Sequence, residues 1–290
     1  MNIKRKLIRV YTPPSQRGFL GEGHIAKPVI QGNFAESDPF IILMDDILDK
    51  KDDIPVGGAH PHAGFETVSL VIEGELGEEP HIMRAGDFEM MTAGSGIVHT
   101  ETISKKTKLR LLQLWLNLPK HERHSLPRVQ KLKSAHVPNT SMGGVSVKVY
   151  SGSLDNLSSP IKNHTPIIIA DMTIEAGTST IQVIPANFNT FLYVIVGSVR
   201  VGEEEKILSR DEVGWLDLHR EDGGSELILS AGEEGVRFVL YSAEPQNQEI
   251  VAHGPFIADT MEDIKQLYAD FRKGKMEHIS EVAEEQKLVY

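Results

Sequence analysis

The sequence predicts an all-β protein made of two similar units, with one helix near its end. Short runs rich in β-branched and aromatic residues are separated by Gly, Asp and Pro at the intervals typical of a barrel or a sandwich. A weak internal repeat indicates two units. Helical periodicity is scarce until after residue 256, where one clear helical pattern begins.

Length and composition set the first bounds. The chain has 290 residues, 40% of them hydrophobic, which suits two domains of ordinary size. It has no cysteine, so disulfides, thiolate ligands, iron–sulfur clusters and a cysteine nucleophile are excluded. Its formal net charge of −11 argues against direct nucleic-acid binding, because an acidic surface gains nothing from counterion release.

The amino-terminal residues do not have the pattern of a targeting segment. Residues 1–6 are basic, but residues 7–14 include a charged arginine and two prolines rather than a sustained apolar core. Nowhere do 18 apolar residues follow one another, so we expect no membrane span. We therefore expect a cytoplasmic protein.

The internal repeat supports the two-unit interpretation. In each copy a strand, a glycine turn, a second strand and an acidic turn follow in that order, at residues 68–91 and 192–216. An apolar strand ending at Pro119 closes the first half, and the polar segment 120–133 resembles a linker. We therefore place the domains at 1–130 and 131–290.

The second half reads as further strands and then a helix. Thr260 followed by Asp263 resembles a capping box, in which two orphan backbone N–H groups are satisfied reciprocally. Apolar residues follow at helical spacing, and Gly274 is placed to end the helix.

Two short clusters carry the chemistry: His60-Pro61-His62 and His99-Thr100-Glu101. Side chains at i and i+2 of a strand point the same way, so two such strands facing each other would converge three imidazoles and one carboxylate. Pro61 and the glycines around Ser95 argue against helices here. The pattern predicts a mononuclear metal site in the first domain, with His60, His62, His99 and Glu101 as ligands.

The donor set favours a catalytic metal. Three neutral imidazoles and a carboxylate suit iron, manganese, nickel or copper better than structural zinc, and they leave one or two positions open. Glu66 is a competing carboxylate, four residues after His62 and therefore on the same face of a regular strand. It is an alternative ligand or general base to Glu101. Trp115 and Trp215 are expected to anchor the cores of their respective halves.

At this point the motifs resemble the pirin family of the cupin superfamily. The matching segments are His-Pro-His-x-Gly-Phe-Glu-Thr-Val, Met-Thr-Ala-Gly-Ser-Gly-Ile-Val-His-x-Glu, Leu-Gln-Leu-Trp-Leu-Asn-Leu-Pro and His-Gly-Pro-Phe, at 60–68, 91–101, 112–119 and 253–256. The resemblance implies two jelly-roll cupin barrels face to face, with metal in the first only. It also implies a metal that is usually iron, so we expect a divalent transition metal, most often Fe(II); the donor set keeps Mn, Ni, Cu and Zn as alternatives.

The resemblance further implies an activity: dioxygen-dependent cleavage of flavonols such as quercetin. For such a reaction we expect Glu101, if it dissociates from the metal, to take the substrate proton, with Glu66 as the alternative base. Ala63, the short hairpin between Gly74 and Ala85, and Glu89-Met90 depart from the family pattern beside the cavity, which leaves the substrate open. Two other hypotheses therefore stand: a metal- or redox-sensing regulator that binds a protein partner, and a different small-molecule enzyme on the same site.

Overall fold

The computed structural model describes residues 3–77 and 82–290. Most of these residues lie in strands, and the chain divides into two compact units. We call Pro14–His136 with Gln246–Tyr290 the first barrel, and Met1–Pro13 with Val137–Pro245 the second barrel. The all-β class, the two barrels and the carboxyl-terminal helix are confirmed.

The described residues form, in chain order, β1 Ile3–Lys4, β2 Leu7–Tyr11, β3 Gln16–Arg17, β4 His24–Ile30, α1 Phe34–Ser37, β5 Phe40–Lys50, β6 Ala59–His62, β7 Phe65–Glu73, β8 Glu75–Leu76, β9 Met83–Arg84, β10 Phe88–Thr92, β11 Ile97–Thr100, β12 Thr107–Asn117, β13 Arg128–Leu132, β14 Asn139–Met142, β15 Val145–Ser151, β16 Ser153–Leu154, β17 Leu157–Ser158, β18 Ile167–Ile174, β19 Ser179–Pro185, β20 Asn189–Val201, β21 Lys206–Ser209, β22 Val213–Leu216, β23 Gly224–Ala243, β24 Val251–His253, β25 Phe256–Ala258, α2 Met261–Arg272 and β26 Lys287–Val289. Part of the short hairpin noted above, residues 78–81, lies outside the described residues.

The compact units are not the contiguous ranges 1–130 and 131–290 expected from the sequence. Each end of the chain pairs with strands from the other half: β2 lies antiparallel to β22, and β26 lies parallel to β13. The predicted linker is also partly a strand, since β13 pairs with β10 and buries Val129, Gln130 and Leu132. Pairing between such distant segments leaves no local sequence pattern.

The first barrel is built on a sheet with the order β26-β13-β10-β7-β12-β5-β4-β3. Strands β6 and β11 form a separate antiparallel pair, and β24 pairs with β25. Its interior is only partly filled, by a cluster that includes Leu48, Val71 and Leu111.

The second barrel is built on the order β14-β15-β18-β23-β20-β22-β2, with β1, β19 and β21 added at the sides. Its core is one continuous apolar cluster that includes Met172, Leu192, Phe238 and Leu240, all fully buried.

Helix α2 begins as the sequence predicted. Thr260 accepts a hydrogen bond from the Asp263 backbone N–H, and the Asp263 carboxylate accepts one from the Thr260 backbone N–H. Ile264 is buried among residues of the first barrel, and Gly274 follows the helix with a φ of +68°. Neither α-helix in the described ranges is long and apolar enough to cross a lipid bilayer.

Candidate metal centre and its cavity

Strands β6 and β11 bring the predicted histidines together. They lie antiparallel, with His60 directly opposite His99 and His62 opposite Ile97. Because His60 and His62 are two residues apart on one strand, their side chains share the face that also carries His99. The donor nitrogens of the three imidazoles all lie within 4.8 Å of one another.

Two glycines let the chain approach this hairpin closely. Gly64 has a φ of +85°, and a Cβ there would lie 1.9 Å from the backbone oxygen of Ile257. Gly96 has a φ of +124°, and a Cβ there would press on the Met276 side chain at 2.8 Å. Both positions require glycine, because other residues rarely adopt this conformation and would clash.

The nitrogen atoms fit a metal ion. His60 Nδ1 donates to the Gly58 carbonyl at 2.8 Å, which leaves the lone pair of its Nε2 facing His99 Nε2, also at 2.8 Å. Nitrogen ligands about 2.1 Å from one metal and at right angles would lie about 3 Å apart. The Nδ1 atom of His62 is buried and has no hydrogen-bond partner among the described residues. The cluster is therefore suited to hold a divalent metal.

The electrostatics of the cluster keep the imidazoles of His62 and His99 in the ligating form. Burial, together with the neighbouring His60, lowers the pKa of His62 to about 3. Burial also holds the pKa of His99 well below its ordinary value. Both rings are thus neutral near pH 7, as metal ligation requires.

Glu101 follows β11 and lies outside the three-histidine cluster. Its side chain lines the neighbouring cavity, and its Oε1 accepts a hydrogen bond from Gln113 Nε2 at 2.9 Å. The pKa of Glu101 is raised to about 7, chiefly because burial disfavours the carboxylate. The hydrogen bond from Gln113 opposes this shift of the pKa, and the negative charges of Glu89 and Asp46 add to it. Its role as a ligand stays a prediction.

Glu66 lies on the opposite face of the sheet. Its register partner on β12 is Leu116, whereas the adjacent Trp115, which lines the cavity, pairs with Thr67. The Glu66 carboxylate is fully buried and accepts a hydrogen bond from Thr92 Oγ1 at 2.8 Å. The strand alternation assumed from His62 to Glu66 does not hold, because β6 ends at His62 and the chain turns at Gly64 before β7.

A cavity of about 580 Å³ opens beside the histidines, inside the first barrel. This is within the size range of small-molecule sites. His60, His62 and Glu101 line it, and most of the wall is apolar. Trp115 also belongs to the wall, with its ring centroid 5.2 Å from that of His62. The sequence predicted a core anchor at Trp115 and gave no signal for this position on the cavity wall.

The carboxyl-terminal segment supports both ligand strands. The Ile257 N–H donates to the Ala63 carbonyl next to His62, and the Val98 N–H next to His99 donates to Glu277. Arg123, 2% exposed, donates to the Gly64 carbonyl and forms an ion pair with Asp259. These supporting residues were missed from the sequence, although the motif at 253–256 lies within the segment.

Comparison with known proteins agrees with this architecture. The family model described as pirin matches residues 25–116, and the model described as the pirin C-terminal cupin domain matches residues 169–277. Together these matches cover more than half of the chain.

Individual relatives extend the match. Pirin of Rattus norvegicus is 35% identical over 226 residues, covering 74% of this chain and 76% of its own length. The structure of GK1651 from Geobacillus kaustophilus is 32% identical with a TM-score of 0.75, covering 86% of this chain and 100% of that one. Quercetin 2,3-dioxygenase from Acinetobacter baumannii shares the fold at 23% identity with a TM-score of 0.81, covering 94% of this chain and 98% of its own. The chain belongs to the pirin family.

Proposed function

We propose that this protein is a metal-dependent dioxygenase that cleaves flavonol-type substrates such as quercetin. One observation carries the proposal: three imidazoles converge on one face of a hairpin and border a largely apolar cavity of about 580 Å³. Such a cavity accepts a flat aromatic molecule of drug size. The shared fold of the Acinetobacter baumannii quercetin 2,3-dioxygenase supports this choice of substrate.

His60, His62 and His99 would hold the metal, with Glu101 as the fourth protein ligand. We propose Fe(II), while manganese, nickel, copper and zinc remain compatible with this donor set. When bound, such a metal supplies Lewis acidity and one-electron chemistry with dioxygen, which side chains lack.

The chain's own residues then bind and deprotonate the substrate. The apolar wall, including Trp115, excludes water and orients the aromatic rings. Glu101 lines the cavity, and Gln113 orients its carboxylate, so we assign the general-base role to Glu101 when it is not a ligand. Glu66, on the opposite face of the sheet, is the weaker candidate for this base.

The test is quercetin turnover by the metal-loaded protein, in air and under nitrogen. We expect turnover only in air, and a loss of at least about 100-fold in His62→Ala. His136→Ala is the matched control, because His136 is exposed and remote in sequence from both ligand pairs. Equal rates in the wild type and His62→Ala would end the proposal.

The regulatory hypothesis and the hypothesis of a different small-molecule enzyme stay predictions. Capture of one protein partner that depends on the oxidation state of the loaded metal would favour the regulator. Turnover of another aromatic substrate, with quercetin inert, would favour the second enzyme.

A further inference from the structure

The two barrels can be compared position by position, because each carries the same ion pair between equivalent strands. Arg110 of β12 forms a two-pronged hydrogen-bonded pair with Asp45 of β5. Arg237 of β23 forms the same pair with Asp171 of β18. The strand registers agree on both sides of these pairs, so Asp46 corresponds to Met172.

The inward-facing positions then differ in polarity. At three inward-facing positions the first barrel has a polar residue where the second barrel has an apolar one. The corresponding residues are Asp46, Ser69 and Gln113 in the first barrel and Met172, Leu192 and Leu240 in the second. Gln113 already has a partner in Glu101. A role for Asp46 in the proposed reaction is so far unassigned.

Asp46 is held by a neighbouring histidine. His24 Nε2 lies 2.9 Å from Asp46 Oδ1, and the His24 side chain is fully buried. By strand register, His24 and Asp46 stand where the second barrel has Val145 and Met172, which both belong to its apolar interior.

The tautomer of His24 follows from its other partner. The Leu20 backbone N–H donates to His24 Nδ1 at 3.1 Å, so the ring proton lies on Nε2 and points at Asp46. The loop that supplies Leu20 folds tightly over the ring, since a Cβ on Gly18 would lie 2.0 Å from His24 Nδ1. The carboxylate of Asp46 is therefore fixed in orientation.

Asp46 nevertheless lines the cavity and keeps 13% of its side chain exposed. A carboxylate accepts up to about four hydrogen bonds, and the one from His24 leaves acceptor capacity for a group in the cavity. An anionic acceptor binds hydroxyl or N–H donors and repels carboxylates and phosphates.

Building on the proposed function, we propose that Asp46, oriented by His24, binds a hydroxyl group on the outer part of the substrate, and that it thereby selects hydroxylated aromatic ligands over unsubstituted ones. Asp46 is the specificity-determining residue, and His24 is a positioning residue.

The experiment compares two ligands under nitrogen, by calorimetric titration of the metal-loaded full chain. Quercetin carries outer hydroxyls, whereas 3-hydroxyflavone shares its hydroxy-ketone group and lacks them. Asp46→Ala should weaken the affinity for quercetin about 10-fold or more, because a hydrogen bond to a charged acceptor is lost. The affinity for 3-hydroxyflavone should change by less than about twofold. Met44→Ala is the control, because Met44 lines the same wall from the same strand and is apolar. It should change both affinities alike.

Two His24 variants test the positioning role. His24→Phe removes the donor to Asp46 and should reduce the preference for quercetin as Asp46→Ala does. His24→Gln offers an amide N–H again and should restore part of the preference. If His24 had only a structural role, both variants would instead show equally reduced affinity for quercetin and for 3-hydroxyflavone.

The outcomes separate this inference from the proposed function. Equal weakening of both ligands by Asp46→Ala, no weakening, or failure of the wild type to prefer quercetin overturns the inference. Selective loss of quercetin binding, in a protein that shows no turnover in air, supports the inference and contradicts the dioxygenase.

Discussion

The two barrels share a strand order and an arginine–aspartate pair, but they differ at their inward-facing positions. In the second barrel the inner face of β18 and β23 is closed by Met172, Phe238 and Leu240. In the first, Asp46 and Gln113 face a space of about 580 Å³. The scaffold therefore does not dictate a site; the polarity of a few inward-facing residues does.

The aromatic residues show the same contrast. In the second barrel Trp215 is 3% exposed and packs on Phe191, which stacks on Tyr241 with centroids 4.9 Å apart. In the first barrel Trp115 contacts Phe65 and His62 and faces the cavity. Trp215 is therefore buried on the face of its sheet opposite Leu192, outside the apolar core of the second barrel, whereas Trp115 lies on the cavity wall beside His62.

Each barrel also contains a buried arginine. Arg5, 1% exposed, donates to the carbonyls of Pro185 and Phe188 in the second barrel. Arg123 in the first barrel pairs with Asp259 and donates to the carbonyl of Gly64, beside the metal ligands. A buried arginine that donates to backbone carbonyls thus fixes the ends of strands in the second barrel and supports a ligand strand in the first.

The largest effect should come from removing one imidazole, because the first barrel then loses the complete three-histidine cluster that distinguishes it from the second. His60→Ala should reduce divalent-metal affinity by at least about 100-fold, more than loss of a supporting hydrogen bond alone. The measurement is metal content per chain after dialysis against a weak chelator. His136→Ala should retain its metal; full retention by His60→Ala would contradict the assignment.

Exchanging one inward position between the barrels should affect them unequally. Leu240→Gln buries an amide in an apolar core and should lower the free energy of unfolding by about 3 kcal/mol. Gln113→Leu, the reverse exchange at a cavity wall, should stay within about 1 kcal/mol while lowering turnover, because Glu101 loses its hydrogen bond. Urea titrations measure the free energy of unfolding of both variants. Similar losses of stability in the two variants would contradict the comparison of the barrels.

The buried arginine beside the ligand strand gives the next effect. Asp259→Asn leaves Arg123 without its counter-ion and should destabilise the first barrel by about 2 kcal/mol, discounted for the partial exposure of Asp259. It should also lower metal affinity, because Arg123 contacts Gly64. Lys120→Ala is the matched control: Lys120 is exposed and lies 3.7 Å from the same carboxylate, so its loss should change stability by less than about 0.5 kcal/mol. An equal effect of the two substitutions would count against this role.

The smallest effect concerns the acidic turns that marked the repeat. Asp87 accepts hydrogen bonds from the backbone N–H groups of Arg84 and Ser134 and from Lys133. Burial raises the pKa of this carboxyl, but Lys133 and the two N–H groups outweigh burial and hold it below its ordinary value. Asp87→Asn should therefore cost about 1 kcal/mol near pH 7.

The pH dependence of that difference follows from its sign. A carboxyl with a lowered folded-state pKa contributes full stability above its unfolded pKa of about 4 and loses it as the pH falls through the folded value. The difference between the wild type and Asp87→Asn should hold from pH 7 to pH 5 and shrink below pH 4. A constant difference down to pH 2 would show that charge is not involved.

Much of the candidate site was predictable because its signals are local. Alternation on a strand places His60 and His62 on one face, and the same rule applies to His99. The capping box of α2 is equally local. Glu66 shows the limit of this reasoning. The turn at Gly64 separates β6 from β7, so Glu66 does not lie on the same face as His62.

Other features depend on contacts between distant segments. Which terminus joins which barrel is decided by two strand pairings, β2 with β22 and β26 with β13. Local sequence patterns do not predict these pairings. The pairing of His24 with Asp46 joins residues 22 positions apart on neighbouring strands, and it becomes visible only when the register of β4 and β5 is known.

The most direct test of the central claim is an anomalous difference map from crystals of the protein grown anaerobically with ferrous iron. We expect one strong peak bonded to His60, His62 and His99 and no bound iron within the second barrel. An iron-free histidine cluster under those conditions, or iron bound only elsewhere, would contradict it.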